Sequence, residues 1–410
     1  MAQAQHGHRP AAATSWTADA IRARVRAFLA EHAPASLDPP VFWGARYDAG
    51  LAWIHFPPGY GGLGAPRALQ AVADAELAAA GAPAHSMARF TIGLGMAAPT
   101  VLAFGTEEQK RRWLRPMFTG EQVWCQLFSE PGAGSDLAAL ATRAVLDPAS
   151  NEWVVNGQKV WTSIAHEAHW AILVARTDPA APKHKGLSYF AVDMTGPGVE
   201  VRPLRQATGE AEFNEVFLTD VRIPDAQRIG SVGDGWKVAN ATLMNERVAI
   251  GAHALPREGG VIGAVARLWR DRPELRTPGS HETLLHLWVE AEALRLTAER
   301  LRQQLAAGQP GPEGSAAKVV FGHLNQAASG FALDLLAEEG LRYDDWTFRR
   351  PDLDTDPATR PLGFHYLRAK GNTIEGGTSE VLRNIIAERV LGLPQEIRTD
   401  KDTPWKDLPR

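Results

Sequence analysis

A carboxylate interrupts an apolar stripe in this sequence. Trp236, Ala239, Leu243, Glu246 and Ile250 step by three and four, so on a helix starting near Gly235 they share one face. Desolvation raises the pKa of a carboxylate in apolar surroundings, which suits a general base working near neutral pH. The same pattern fits a buried glutamate paired with an arginine, or a stripe edge that reaches water. Arg247 follows directly and could be that ion partner. A second carboxylate, Glu375, precedes Gly376-Gly377-Thr378 and a helix starting near Ser379. A helix N-terminus attracts anions.

Two further stretches carry polar chemistry. Trp124-Cys-Gln-Leu-Phe-Ser-Glu-Pro-Gly-Ala-Gly-Ser-Asp136 opens as an apolar, strand-like run and breaks at Glu130-Pro131 into a loop. Gly132 and Gly134 can take positive φ there and bring backbone close to a ligand. Successive N–H groups in such a turn form an anion nest, to which Ser135 can add a hydroxyl. The alternative is a Gly-rich turn between sheet segments. Farther on, Asn156-Gly157 lies between two β-type runs, the pattern of a type I′ hairpin. Strand alternation then puts Trp161 and Ser163 on one face and Thr162 on the other.

Other patterns are discounted. Gly93-Leu-Gly-Met-Ala-Ala98 loosely fits a dinucleotide fingerprint, but follows no strand and lacks the acidic partner, so helix packing explains it. His166-Glu-Ala-His169 falls one residue short of a zinc-protease pattern, and no metal site is expected.

The elements that must position these groups follow from periodicity. Ile21, Val25, Phe28 and Leu29 mark a helix after the cap candidates Ser15 and Thr17, and Leu69, Val72, Ala75 and Leu77 mark another. The Pro- and Gly-rich 56–64 segment between them is a loop. Glu107 to Trp113 is charged and amphipathic. Strand patterns fill Val123 to Ile229, and helices return from Gly235, with Leu284, Trp288, Ala291, Leu294, Ala298, Leu301 and Leu305 as one long stripe. The expected organisation is a disordered leader over 1–14, an N-terminal helical domain over 15–120 and a middle β-domain over 121–232. A C-terminal helical bundle over 233–395 and an extended tail over 396–410 complete it.

With 410 residues the chain can build two or three domains. Its net charge of −4 leaves no nucleic-acid footprint. The lone Cys125 excludes an intrachain disulfide framework and fits a reducing cytoplasm. No apolar run approaches the ~20 residues of a membrane span.

The 124–136 segment resembles the signature of the acyl-CoA dehydrogenase family, and four further segments match in family order. They are Phe56-Pro-Pro-Gly-Tyr-Gly-Gly-Leu-Gly64, Asn156-Gly-Gln-Lys-Val-Trp-Thr-Ser163, Leu243-Met-Asn-Glu-Arg247 and Gly376-Gly-Thr-Ser-Glu-Val-Leu-Arg-Asn-Ile-Ile-Ala-Glu-Arg389. The resemblance implies an α+β fold of two helical domains around a β-barrel or sheet domain, the second helical domain being a four-helix bundle. It implies FAD, an acyl-CoA substrate, and desaturation in which a glutamate takes the α-proton while flavin N5 takes the β-hydride. Most members carry the base just before Gly-Thr-Ser, where this chain has Gly376. A minority, the isovaleryl- and long-chain-type enzymes, carry it before an arginine in the earlier helix, as Glu246-Arg247 does. Glu246 is therefore the expected base, Glu375 its rival by a one-residue offset, and Arg247 the support of the active-site and CoA side.

By the same resemblance Leu127, Phe128 and Ser129 face the flavin pyrimidine edge, and Gly134 and Ser135 its pyrophosphate. Trp161 and Ser163 lie by the flavin ring; Gly376, Gly377 and Thr378 lie by the thioester carbonyl and flavin. An electron-transfer flavoprotein is the implied electron acceptor.

Two departures stand out. Family members place Arg-x-x-Phe-Gly and Gln-x-x-Gly-Gly segments against the FAD of a neighbouring subunit. Here those regions read Glu258-Gly-Gly-Val-Ile-Gly-Ala-Val-Ala-Arg267 and Leu335-Leu-Ala-Glu-Glu-Gly-Leu341, putting Glu338 and Glu339 where a diphosphate would lie. Like charges at short range repel. Either a sister chain completes the site in a hetero-oligomer, as in bacterial relatives acting on sterol side chains, or a homodimer or homotetramer uses a modified contact. The alternative activities are an oxygen-using oxidase or monooxygenase on this scaffold, or a non-catalytic partner subunit.

Overall fold

Thr17 opens the first helix: its side chain accepts the Ala20 N–H at 3.2 Å, and Ile21, Val25 and Phe28 form the buried face of α1 (Ala18–Glu31). The computed structural model describes residues 16–251, 256–306, 314–343, 345–353, 359–397 and 400–409, without the side chains of 246–251, 305 and 306. The leader expected over 1–14 lies outside the described residues. The chain divides into two compact units between Ala84 and His85. The first holds α1, α2 (Pro39–Asp48) and α3 (Gln70–Ala79). Its 56–64 segment is a loop, as its prolines and glycines dictate.

The second unit begins with one continuous helical run: α4 (Met87–Phe90), a π-helical stretch (Thr91–Ala97) and α5 (Ala98–Phe104). These 18 residues have mean hydropathy 1.4, so one run is long and apolar enough to cross a membrane by length and composition, contrary to the sequence expectation. Within this unit the run packs on α6 (Glu107–Thr119), β1 (Trp124–Leu127) and α7 (Gly235–Gly251). A Cβ on Gly93 would lie 3.3 Å from Met117 and 3.6 Å from Trp124, which is the helix-packing role expected of that glycine. Thr106 and Gln109 form a capping box at the start of α6.

Seven strands follow: β1 (Trp124–Leu127), β2 (Arg143–Asp147), β3 (Glu152–Ser163), β4 (Trp170–Arg176), β5 (Leu187–Asp193), β6 (Val199–Pro203) and β7 (Phe213–Pro224). They form one sheet in the order β1-β4-β2-β3-β7-β6, with β5 also on β4. Every residue of β4 is buried, and up to its last residue, Arg176, it reads as an unbroken apolar run rather than an alternating one. The expected Asn156-Gly157 hairpin is absent. Those residues sit inside β3 at a register shift against β7, and the Asn156 side chain donates from Nδ2 to Asp220 Oδ1 and accepts the Asp220 N–H at Oδ1, each at 3.0 Å. A Cβ on Gly157 would lie 2.2 Å from Thr142 Oγ1, so glycine is required there for close approach rather than for a turn. The chain reverses earlier, between β2 and β3, where Asn151 has φ 55°.

The remaining helices are α7 (Gly235–Gly251), α8 (Val261–Asp271), α9 (Pro278–Ala306), α10 (Gly314–Leu336), α11 (Leu362–Ala369) and α12 (Ser379–Arg389). Helix α10 packs against α8, α9, α11 and α12. Ile262, Val265, Leu284, Leu287, Leu324, Ala328 and Ala332 form the core shared by α8, α9 and α10, with Trp288, Ala291 and Leu294 of the predicted stripe packed against it. Leu305 belongs to that stripe, but its side chain lies outside the described residues.

Candidate active site

The signature loop is built around a buried ion pair. After β1 the chain turns back on itself: Glu130 N–H donates to Ala133 O and Ala133 N–H to Glu130 O, each at 3.0 Å. Lys159 of β3, with no exposed surface, donates from Nζ to Phe128 O at 2.9 Å, Glu130 Oε1 at 2.9 Å and Val174 O at 3.0 Å. The Glu130 carboxylate also accepts the N–H groups of Ala141 at 2.7 Å and Thr142 at 2.9 Å. Burial alone would raise the Glu130 pKa; the Lys159 charge and the hydrogen bonds from Thr142 and Ala141 outweigh it and hold the carboxyl below its ordinary value. Burial pulls the Lys159 ammonium down, and Glu130 opposes that pull. Val160 N–H donates to Ser129 O at 2.9 Å, so Ser129 is fixed to the strand that carries Trp161 and Ser163.

Gly132 and Gly134 differ from the expectation, because neither has positive φ. A Cβ on either would meet nothing within 4 Å. What they contribute is bare backbone facing open space. Ser135 is likewise exposed, whereas Leu127 and Phe128 are buried.

At the end of β3, alternation breaks down. Trp161 has φ 61°, and the register against β7 shifts between Lys159 and Thr162. A non-glycine residue in this region stores strain of ~1–3 kcal/mol and marks a β-bulge that re-aims a side chain. Trp161 is consequently 58% exposed, whereas Thr162 is buried and Ser163 half-buried. Thr162 Oγ1 is buried without a hydrogen-bond partner. The Trp161 ring meets Phe213 edge-on at 5.8 Å, and the Arg368 guanidinium lies 5.6 Å from the Phe213 ring centre. Through Phe213, the end of β3 is brought to α11 (Leu362–Ala369) and the 370–378 loop that follows it.

In that loop Glu375 is held on both oxygens. Arg368 Nη1 donates to Oε1 at 3.0 Å, Nη2 to Oε2 at 2.9 Å, and Asn372 Nδ2 to Oε1 at 2.6 Å. Gly376 (φ 62°) and Gly377 (φ 95°) both take the left-handed backbone that favours glycine. Lys318 Nζ donates to Gly377 O at 2.6 Å. Thr378 caps α12 by accepting the Val381 N–H at 3.2 Å, while Ser379 Oγ in the first turn is buried without a partner.

Helix α7 is seated by a hydroxyl cluster. Thr242 Oγ1 lies 2.9 Å from both Thr100 Oγ1 and Tyr189 OH, all three buried, and donates to Val238 O at 3.1 Å. Ala239 of the predicted stripe is buried, and Trp236 and Leu243 are half-buried. Glu246 and Arg247 lie on this helix one turn later, with side chains outside the described residues.

The two segments that depart from the family pattern hold ion pairs within the chain. Arg270 Nη2 donates to both oxygens of Glu258, at 2.6 and 2.8 Å, and Trp288 Nε1 adds a bond at 3.2 Å. Arg272 donates to Glu339 at 3.1 and 3.3 Å. Glu339 is thus accompanied by a cation, which offsets the repulsion expected of it.

Sequence reasoning missed Lys159, Arg368, Thr242 and Tyr189. Lys159 had a signal, since it stands inside the Asn156–Ser163 motif; the other three acquire a role only through tertiary contacts.

The open space beside Gly132 and Gly134, the presented Trp161 and the unpartnered Thr162 and Ser379 hydroxyls fit a large planar ligand with polar edges. Family comparison decides which. Residues 15–121, 125–221 and 233–391 match, in turn, the models of the N-terminal, middle and C-terminal domains of acyl-CoA dehydrogenase.

The chain belongs to the acyl-CoA dehydrogenase family.

As such it is an FAD-dependent oxidoreductase that dehydrogenates an acyl-CoA thioester. Among curated dehydrogenases of Mycobacterium tuberculosis, it is 41% identical to FadE34 over 86% of this chain and 46% of that protein. It therefore spans about half the length of FadE34. It is 39% identical to IpdE1 over 87% of this chain and 88% of that one. Among solved structures it superposes on the Tcur3481-Tcur3483 steroid acyl-CoA dehydrogenase with TM-score 0.69 and 27% identity, covering 92% and 98% of the two chains. It superposes on the ChsE4-ChsE5 complex from M. tuberculosis with TM-score 0.67 and 28% identity, covering 94% and 100%.

Proposed function

We propose that Glu246 is the base of this dehydrogenase and that Glu375 is a structural ion partner. The observation that carries this reading is the fate of Glu375: both oxygens are engaged by Arg368, and Asn372 adds a third N–H. A carboxylate so engaged must give up those bonds before it can take a proton. Glu246 follows Thr242 by one helical turn on the helix that Thr100 and Tyr189 fix in place. Arg247 then supports the CoA side.

The Gly376 N–H, exposed before the start of α12, donates to the thioester carbonyl; such a donor contributes ~3 kcal/mol to the acidity the α-proton needs. With FAD bound, Leu127, Phe128 and Ser129 would hold the flavin's pyrimidine edge, Gly134 and Ser135 its pyrophosphate, and Trp161, Ser163, Gly377 and Thr378 would lie by its ring. FAD, when bound, supplies the hydride acceptor for the β-carbon. The product is the trans-2-enoyl-CoA.

The substrate is a bulky, ring-bearing acyl-CoA, and the working assembly is a hetero-oligomer with a sister chain. Support comes from the likeness to a steroid dehydrogenase and to the ChsE4-ChsE5 complex. It also comes from the Glu258–Arg270 and Arg272–Glu339 pairs, which occupy the two segments that would otherwise reach a neighbour's FAD. An electron-transfer flavoprotein takes the electrons, in the cytoplasm.

Anaerobic titration of the FAD-loaded protein with acyl-CoAs, from short linear to steroid-like, tests this reading. Bleaching of wild type and Glu375→Gln, with Glu246→Gln silent, supports the base assignment, and the panel names the substrate class. A silent Glu375→Gln beside an active Glu246→Gln overturns it. Full FAD loading and activity of the chain alone would sink the hetero-oligomer.

A further inference from the structure

The signature loop is gripped a second time, at its exit, by groups that the 400–409 segment covers. Arg176, buried at the end of β4, donates from Nη2 to Ala138 O at 2.6 Å and from Nε to Leu140 O at 3.3 Å. Its Nη1 donates to Lys183 O at 3.0 Å. Lys183 Nζ in turn lies 2.8 Å from Asp136 Oδ2, the last residue of the signature, and 3.2 Å from Asp400 Oδ2. One ammonium thus bridges the loop and the far end of the chain.

The sequence leads one to expect an extended tail over 396–410, but its 400–409 part is docked. Trp405 N–H donates to Ala181 O and Lys406 N–H to Pro179 O, each at 3.0 Å. Trp405 Nε1 donates to Ala139 O at 3.0 Å, between the two carbonyls that Arg176 holds. The Arg176 guanidinium lies 4.5 Å from the centre of the Trp405 ring. A cation covered by an indole and shielded from water binds its carbonyls more firmly than an open one.

We infer that residues 400–409 are a strap that sets FAD affinity by pre-organising the Gly134–Ser135–Asp136 part of the loop, with Trp405 and Asp400 as positioning residues. This rests on the reading above that the flavin pyrophosphate lies beside Gly134 and Ser135. The strap's hydrogen bonds and its ion pair reach Pro179, Ala181, Lys183 and Ala139, all beside the signature loop. Its loss therefore alters cofactor retention rather than the chemical step. Holding the loop in its binding shape beforehand removes an ordering cost from binding.

The test compares wild type, Trp405→Ala, Trp405→Phe, Asp400→Asn and a form ending at residue 399. Two quantities are read: hydrogen exchange of the 132–140 amides in the FAD-free protein, and Kd for FAD by flavin fluorescence. Trp405→Ala and the shortened form are expected to exchange faster across 132–140 and to weaken FAD binding about tenfold, with kcat at saturating FAD unchanged. Trp405→Phe, which keeps the ring over Arg176, recovers most of the affinity. An unchanged Kd in Trp405→Ala overturns the inference. If exchange is then also unchanged, the strap itself is wrong; if exchange rises alone, the placement of the pyrophosphate on this loop is wrong.

Discussion

Lys159 Nζ and Glu130 Oε1 lie 2.9 Å apart in the sheet interior, and together they bind β3 to the signature loop. The pair joins the two segments that carry Ser129 and Trp161. It satisfies both partners completely enough to be tolerated in the interior: three acceptors surround the ammonium, and two backbone N–H groups reach the carboxylate.

Removing one member of such a pair leaves the other charge buried and uncompensated. Lys159→Met is expected to lose ~3–5 kcal/mol of stability. Lys159→Met with Glu130→Leu should recover much of the loss, because the orphan charge is gone. Urea unfolding of the FAD-free proteins measures both.

Acid sensitivity should be traceable to Glu130. Its folded pKa is held below the ordinary 4.5, so the unfolded chain binds the extra proton first. The stability it contributes is present above the unfolded pKa and is lost as pH falls through the folded one. Unfolding free energy of wild type should therefore drop below about pH 4.5 more steeply than that of Glu130→Gln. Equal slopes would remove Glu130 from the account.

Trp161 is 58% exposed, so its contribution to folding is small and its contribution to ligand binding is not. Trp161→Ala keeps the backbone strain and loses only the half-covered ring and its Phe213 contact, so it should change FAD-free stability by no more than ~1–2 kcal/mol. Flavin fluorescence and the absorption band of the FAD-loaded form should shift clearly. A large fall in the FAD-free melting temperature would mean that the ring is structural.

Two glycines should behave oppositely. Gly157→Ala forces a Cβ to 2.8 Å from the Thr142 backbone and should cost ~1–3 kcal/mol. Gly134→Ala meets nothing within 4 Å and should leave FAD-free stability intact while FAD affinity falls. Calorimetry and cofactor titration on the two variants separate the packing role from the ligand-facing role.

The order of elements and the position of most site segments are legible in the chain itself. Helix α7, the Thr378-capped start of α12 and the apolar β4 follow from local periodicity and capping, which depend on near neighbours in the chain. Tertiary structure decided the rest. Asn156-Gly157 carries the local signal of a hairpin, yet pairing with β7 and the approach of Thr142 make it a bulge inside a long strand. Trp161 leaves strict alternation because a second bulge turns its backbone to φ 61°. Glu375 is a rival base by its place before Gly376, and only the fold sets Arg368 against it. The grip of Arg176 and Trp405 on the signature loop joins residues far apart in sequence, so no local pattern could carry it. Periodicity reports which face a residue occupies; what waits on the other side of that face is fixed only when distant segments meet.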